Sequence, residues 1–279
     1  METKNFRPIS ILLLISKVLE KVIHDQTQNF LTDNSILYCY QSGLRKCHST
    51  DTCLSYLNDK ILKGTDIRLM TGLILIDLQK AFDTIDHEIL IKKTVHLQFS
   101  AQSILWFRSY LTNSTFLVNV EKSFSVPGKI ECGVPQGSIL GPLLFLLYVN
   151  DMPGAVGCEM LLYADDTCLV FQAKDIDTLS ERLNTEFNKL CDWFIDNKLS
   201  IHFGEDKTKS ILFTGKKRPK AETSISLEAG LRWWRKHGFL TLALRRLLCN
   251  ALIQPHFDYA SSAWYTNFQN KFSDKLQVC

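Results

Sequence analysis

Three aspartates stand where they could share a metal ion. The apolar run Thr71–Ile76 (TGLILI) has strand length and composition and ends at Asp77. Residues 160–171, MLLYADDTCLVF, place Asp165 and Asp166 between two further apolar runs, with Ala164-Asp165-Asp166-Thr167 short enough for a tight hairpin turn. Taken singly, a strand-end Asp or an Asp-Asp pair at a turn is an ordinary solvated feature. Taken together, a strand ending in Asp beside a hairpin carrying Asp-Asp would bring three carboxylates together, and such crowding is unfavourable because like charges raise one another's pKa. A divalent cation relieves it. Hard oxygen ligands with open positions suit Mg²⁺, which combines one or two carboxylates with substrate phosphates. Two such ions about 4 Å apart can activate an attacking hydroxyl and stabilise a leaving pyrophosphate, which is nucleotidyl transfer.

The surrounding elements have to hold those groups in register. Residues 9–31 carry apolar residues at helical spacing (Leu13, Leu14, Val18, Leu19, Val22-Ile23), and a second helical stretch follows the polar segment 41–50 through about Leu62. Gly64-Thr65-Asp66 reads as a turn. Residues 86–111 read as helices. Segments 116–120 and 123–130 form an expected β-hairpin around Glu121-Lys122. The Gly-Pro loop GVPQGS then leads into the helix ILGPLLFLLYVNDM, with Ser138 as a sound N-cap. Residues 178–199 give an amphipathic helix with Leu179, Leu183, Phe187, Leu190 and Phe194 on one face, and Ser210–Phe213 a short strand. Helices and strands mix without strict βαβ alternation, so the fold class is α+β.

Bulk properties narrow the setting. The chain has 279 residues, 46% hydrophobic and 22% charged, within the range of soluble globular proteins. Net charge is +3, but residues 198–246 hold twelve Lys or Arg against four Asp or Glu, a balance that suits a polyanion partner as readily as a solvated surface. Nine cysteines without a C-x-x-C pair favour free thiols in a reducing, intracellular setting. Cys47-His48 lacks the second cluster a zinc site needs, and His48 and His87 read as structural polar residues. The longest apolar run, 143–149, is too short to span a bilayer, so no membrane role is expected.

Six blocks in one order carry a resemblance: NFRPIS (5–10), QSGLRKCHSTDT (41–52), IDLQKAFDTIDH (76–87), GVPQGSILGPLLFLLYVND (133–151), YADD (163–166) and NKLSIHFGEDKTKSILF (197–213). Any one could arise by chance, whereas their order over residues 5–213 is highly specific. The chain resembles the reverse transcriptase of non-LTR (LINE-like, jockey-type) retrotransposons. That resemblance implies a right-hand polymerase with an antiparallel palm sheet flanked by helices: fingers over 1–65, palm over 66–213 with a fingers-like helical insertion at about 88–112, and a linker and shortened helical thumb over 214–279. It implies an RNA-directed DNA polymerase whose partners are an RNA template, a DNA primer and dNTPs, and whose cofactor is a pair of Mg²⁺ ions, with Mn²⁺ as a substitute.

By the same resemblance Asp77, Asp165 and Asp166 form the metal triad, with the backbone carbonyl of Leu78 as a further ligand. Tyr163 packs beside the primer end. Phe82 places a ring under the sugar of the incoming nucleotide and rejects a ribose 2′-OH; by itself it would read as a core Phe. Gln136, Gly137 and Ser138 contact the incoming base and template. Arg45, with Lys46 as its substitute, holds the triphosphate through its bidentate fork. Lys207 in DKT donates a proton to pyrophosphate, although the family's Leu-Asn-x-x-Lys-Thr spacing is shorter than LSIHFGEDKT here. Full elements of this class carry an endonuclease ahead of the polymerase, and this chain opens almost at the first polymerase block. After Lys220 the family's Tyr-Leu-Gly segment is missing, which points to an internal deletion near 220–231 and a thumb that grips duplex phosphates weakly. A second reading therefore stands beside the first: a catalytically inactive transposon remnant that at most binds RNA. An RNA-templated RNA polymerase fits less well, since those enzymes usually show GDD. The expected compartment is the nucleus, the cytoplasm or both.

Overall fold

The computed structural model describes residues 10–112, 114–120, 123–202 and 208–214. Two long helices come first, α1 (Leu14–Asp33) and α2 (Thr50–Asp66). Strand β1 (Met70–Ile76) follows, then α3 (His87–His96) and α4 (Ala101–Leu111). Two nested strand pairs make the expected hairpin: β2 (Thr115–Phe116) with β5 (Gly128–Lys129), and β3 (Asn119–Val120) with β4 (Ser123–Phe124). Helix α5 (Gly141–Val149), a 3₁₀ turn (Met152–Ala155), β6 (Glu159–Tyr163), β7 (Asp166–Ala173), α6 (Ile176–Asp196) and β8 (Lys209–Phe213) complete the described chain.

Four of the strands form one antiparallel sheet in the order β6-β7-β1-β8. β1 lies inside it, and both of its faces are covered, which is why TGLILI runs apolar without alternation. Ile74 and Ile76 face the larger core with Leu179, Leu183, Phe187, Leu190 and Phe194 of α6. Leu73, with Leu161, Cys168 and Val170 beside it, faces Cys53, Tyr56, Leu57 and Ile61 of α2. Helix α5 is apolar all round and buried along its length, as a helix inside a core must be. The five residues of the 178–199 stripe are all 0–1% exposed. Phe187→Ala is accordingly expected to lower the unfolding free energy by about 3–5 kcal/mol, seen as a fall in the urea midpoint at unchanged m-value.

Side chains start most of the helices. Ser49 and Thr52 close a capping box at α2, and Asp86, Ser100 and Asp175 accept the N3 amides of α3, α4 and α6. Three expectations need correction. Gly64-Thr65-Asp66 is not a turn but the last turn of α2, and the reversal falls at Ile67-Arg68. Tertiary packing decides this: α2 passes close to β7 here, and a Cβ on Gly64 would stand 2.2 Å from the Gln172 amide nitrogen, so that side chain would have to shift. Ser138 does not cap α5, which begins at Gly141 after Leu140. Its Oγ instead donates to Pro135 O and accepts from Gly141 N, closing the turn before the helix. Helix α1 begins at Leu14 rather than near residue 9, and Leu13, Leu14, Val18, Leu19 and Val22 are exposed, while Glu20, Thr27 and Leu31 are buried.

Candidate active site

The antiparallel register delivers the first two carboxylates. Leu73 pairs with Val170 and Leu75 with Cys168. The ladder ends with Ile76 paired to Thr167, so Asp77 and Asp166 are the residues that follow and precede its last pair. Beyond β1 the chain is held by the segment before β8: His202 N donates to Asp77 O (2.8 Å), Gln79 N donates to Ser200 O (2.8 Å), and Leu78 bridges Ile201. Neither hydrogen bond uses the carbonyl of Leu78, whose side chain is buried in the core. The Asp77 carboxylate is roughly a quarter exposed, with His202 Nδ1 at 3.8 Å from Oδ2.

Asp165 arrives by a turn. Tyr163 pairs with Asp166, so Ala164 and Asp165 are the two central residues of a two-residue hairpin. Ala164 has φ 55°, whereas Asp165 is not among the positive-φ residues, the sign pattern of a type II′ turn. Glycine is the usual residue at that first position, so an alanine there is strained. Tyr163 and Asp165 are half-buried and Asp166 is exposed.

Among the described residues no three His, Cys, Asp or Glu side chains form a group disposed to hold a metal ion. Asp77, Asp165 and Asp166, which the sequence led us to expect in one shared pocket, are thus not gathered into a ready ligand set. What suits Mg²⁺ is the chemistry of the donors, since carboxylate oxygens are the hard ligands it combines with water and phosphate.

A second group of residues is stapled together nearby in sequence and in space. The turn after Asp77 carries Phe82, half-buried, its ring stacked on Phe145 at 4.8 Å and 25°. The Gly-Pro loop lies against this turn through Gly133 N to Ile85 O, Val134 N to Phe82 O and the Gln136 amide to Asp83 Oδ1 (2.8 Å). His87 bonds Gly133 O through Nε2, which accounts for it as a structural residue. Gln136 O accepts from Ser10 N, and Gly137 takes φ +109°, a conformation open to glycine. From the other side Glu20, 2% exposed, accepts from Ile139 N and from Tyr110 Oη. Phe82, Gln136, Gly137 and Ser138 thus share one rigid corner.

The basic candidates part company. The Arg45 guanidinium donates to the carbonyls of Tyr38 (2.8 Å) and Gln41 (3.2 Å), and burial pushes its pKa below the ordinary arginine value. Lys46 is exposed. Lys207 lies outside the described residues.

Sequence reasoning missed Gln41, Gly43, Asp83 and His202. Gln41 Oε1 accepts from Gly43 N (2.9 Å) and from Ala164 N (3.1 Å), reaching the aspartate turn from the other end of the chain. The signal available was the block QSGL itself, with a glutamine and a glycine two apart.

The chain matches a family model described as "Reverse transcriptase (RNA-dependent DNA polymerase)" over residues 2–245. It is 32% identical over 233 residues to a probable RNA-directed DNA polymerase from transposon BS of Drosophila melanogaster, covering 81% of this chain and 25% of that protein. It is 27% identical over 284 residues to the RNA-directed DNA polymerase from mobile element jockey of the same organism, covering 99% and 29%. The chain thus spans about a quarter of the length of these curated relatives. Among solved structures, apo telomerase from Candida tropicalis truncated from its C-terminal domain superposes with a TM-score of 0.51 at 14% identity, covering 74% of this chain and 41% of that one. At that identity the likeness concerns the fold, an α+β polymerase palm with an antiparallel sheet.

Proposed function

The chain belongs to the reverse transcriptase family, and from that premise we propose that it extends a DNA primer along an RNA template, adding dNTPs by nucleotidyl transfer. The observation that supports this reading is the β1–β7 ladder, which ends at Ile76 with Thr167 and so leaves Asp77 and Asp166 next to its last pair, with Asp165 on the adjoining turn. These three carboxylates would hold Mg²⁺, which when bound supplies charge stabilisation for the attacking hydroxyl and the leaving pyrophosphate. The rest falls to the chain's own residues. The strand ends orient Asp77 and Asp166, and the turn between β6 and β7 orients Asp165. Phe82, backed by Phe145, offers a ring at the sugar. Gln136, Gly137 and Ser138 present a loop whose conformation is set from three sides and to which a base and template can come close. Tyr163, paired with Asp166, lies beside the primer end. The Leu78 carbonyl supplements the carboxylates, and Lys207 would serve the pyrophosphate.

For the triphosphate, the two basic residues exchange order. Arg45 is occupied by backbone carbonyls, so its replacement should act on the fold, whereas exposed Lys46 is free to meet phosphate. Arg45→Met is expected to cost about 1–2 kcal/mol of stability with the dNTP KM unmoved. Lys46→Ala is expected to raise that KM roughly tenfold, about 1.4 kcal/mol. Steady-state kinetics beside thermal melts separate the two.

In this scheme residues 1–65 act as fingers, 66–213 as palm and 214–279 as linker and thumb, the last with the basic residues that suit duplex phosphates. Such a polymerase works inside the cell, in the nucleus or cytoplasm where it meets RNA and chromosomal DNA. Among the described residues no helix is long and apolar enough to cross a membrane. The competing reading, an inactive remnant that binds RNA, draws on one observation: no three-ligand group is preassembled among the described residues. Primer extension on poly(rA)·oligo(dT) with Mg²⁺ decides between them. Incorporation that EDTA abolishes without lowering the melting temperature is expected; incorporation no greater than in EDTA establishes the remnant.

A further inference from the structure

We infer that Gln41 is a positioning residue for the aspartate turn, setting the place of Asp165 from a segment more than a hundred positions earlier in the chain. The segment 40–43 runs along the outer edge of β6 as a short parallel partner. Leu162 N donates to Tyr40 O (3.1 Å), Ser42 N donates to Leu162 O (2.8 Å), and Gln41 bridges Leu162. This brings the Gln41 side chain, 3% exposed, to the turn, where Oε1 accepts from both Gly43 N and Ala164 N. Both partners are N–H donors, so only the oxygen of the amide can serve them, and its orientation is settled.

Three further observations tie this contact to the turn's conformation. A Cβ on Gly43 would stand 2.0 Å from Ala164 N, so the two backbones meet as closely as glycine allows. Ala164 holds φ 55°, a conformation that persists in a non-glycine residue only when its surroundings over-determine it; the Gln41 oxygen on its amide and the Gly43 backbone against it are those surroundings. Gln41 Nε2 is buried and finds no partner among the described residues. A buried donor left unmade is costly, and methionine would fill similar space without it, so stability alone does not explain an amide here; the two accepted bonds do. The carbonyl of Gln41 is in turn held by Arg45, which extends the linkage into the segment that carries Lys46.

The proposal rests on the polymerase reading only for its kinetic arm. Amide hydrogen exchange on the full chain, read at residue level without substrate or metal, tests the contact itself. Gln41→Met should speed exchange at Ala164 by roughly tenfold or more while Leu73 and Leu169 at the sheet centre keep their protection. Arg45→Met should give a smaller acceleration at the same amide. In primer extension Gln41→Met should lower kcat about tenfold with the dNTP KM within about twofold, the split expected when the ground-state site is intact but the carboxylate is misplaced. Unchanged exchange at Ala164 overturns the proposal. So does loss of protection across β1, β6 and β7 alike in both Gln41→Met and the shorter Gln41→Asn, since that makes Gln41 a general fold residue. If the wild-type chain incorporates nothing, the polymerase reading falls while the exchange result still decides the role of Gln41.

Discussion

Asp165→Ala is expected to lower primer extension by about a thousandfold or more, with the melting temperature almost unmoved. The size of the loss follows from what a metal-held carboxylate supplies: several kcal/mol of charge stabilisation, at about 1.4 kcal/mol per tenfold in rate. The small effect on folding follows from the turn. Asp165 is half-buried, its carboxylate makes no hydrogen bond among the described residues, and the hairpin is held by the β6–β7 ladder and by Gln41. Surface changes of that kind stay within about 0.5 kcal/mol. Single-nucleotide incorporation on an RNA template, run beside a thermal melt, checks both halves. Residual activity within about tenfold of wild type would remove Asp165 from the metal site and with it the proposed chemistry.

Phe82→Val should open the site to ribonucleotides. A ring at the sugar discriminates by collision, and its removal is expected to narrow the preference for dNTP over rNTP by roughly thirty- to a hundredfold, about 2–3 kcal/mol. The ring also stacks on Phe145 at 4.8 Å, so the same change should cost about 1–2 kcal/mol of stability from lost burial and aromatic contact. The ratio of kcat/KM for dNTP and rNTP on one template separates the effects, because a folding defect lowers both values together and leaves the ratio alone. A ratio equal to wild type would make Phe82 a core ring and nothing more. Lys46→Ala serves as the contrast, since weaker triphosphate binding should raise KM for both nucleotides equally.

Local patterns in the sequence determined the elements whose information is local. The stripe Leu179, Leu183, Phe187, Leu190 and Phe194 specified α6 and its buried face, because helical period and burial coincide within twenty residues. The caps Asp86, Ser100 and Asp175 are local too, since a cap bonds only three residues ahead, but the one cap named from the sequence, Ser138, closes a turn instead. The two strand-like runs indicated a hairpin turn at Ala164-Asp165-Asp166-Thr167; the hairpin is there, but its tip is Ala164 and Asp165 alone, with Asp166 and Thr167 already paired in β7. The ordered blocks from 5 to 213 were enough to indicate the family.

Tertiary structure alone decided what depends on residues far apart in sequence. β1 pairs with β7 between residues far apart in the chain, from Met70 with Ala173 to Ile76 with Thr167, and no local pattern states that register. Gly64 looked like a turn glycine and proved to be the point where α2 touches Gln172. The apolar recurrence of α1 gave its helicity but not its buried side, which carries Glu20 to the loop at Ile139. Arg45 had the chemistry of a phosphate ligand, and its guanidinium is taken by two carbonyls. Gln41, plain in sequence, bonds the peptide before Asp165. The reason is common to all five: periodicity and caps are set by neighbours along the chain, whereas the partner of a buried polar group or of a strand edge is set by whatever the fold brings beside it.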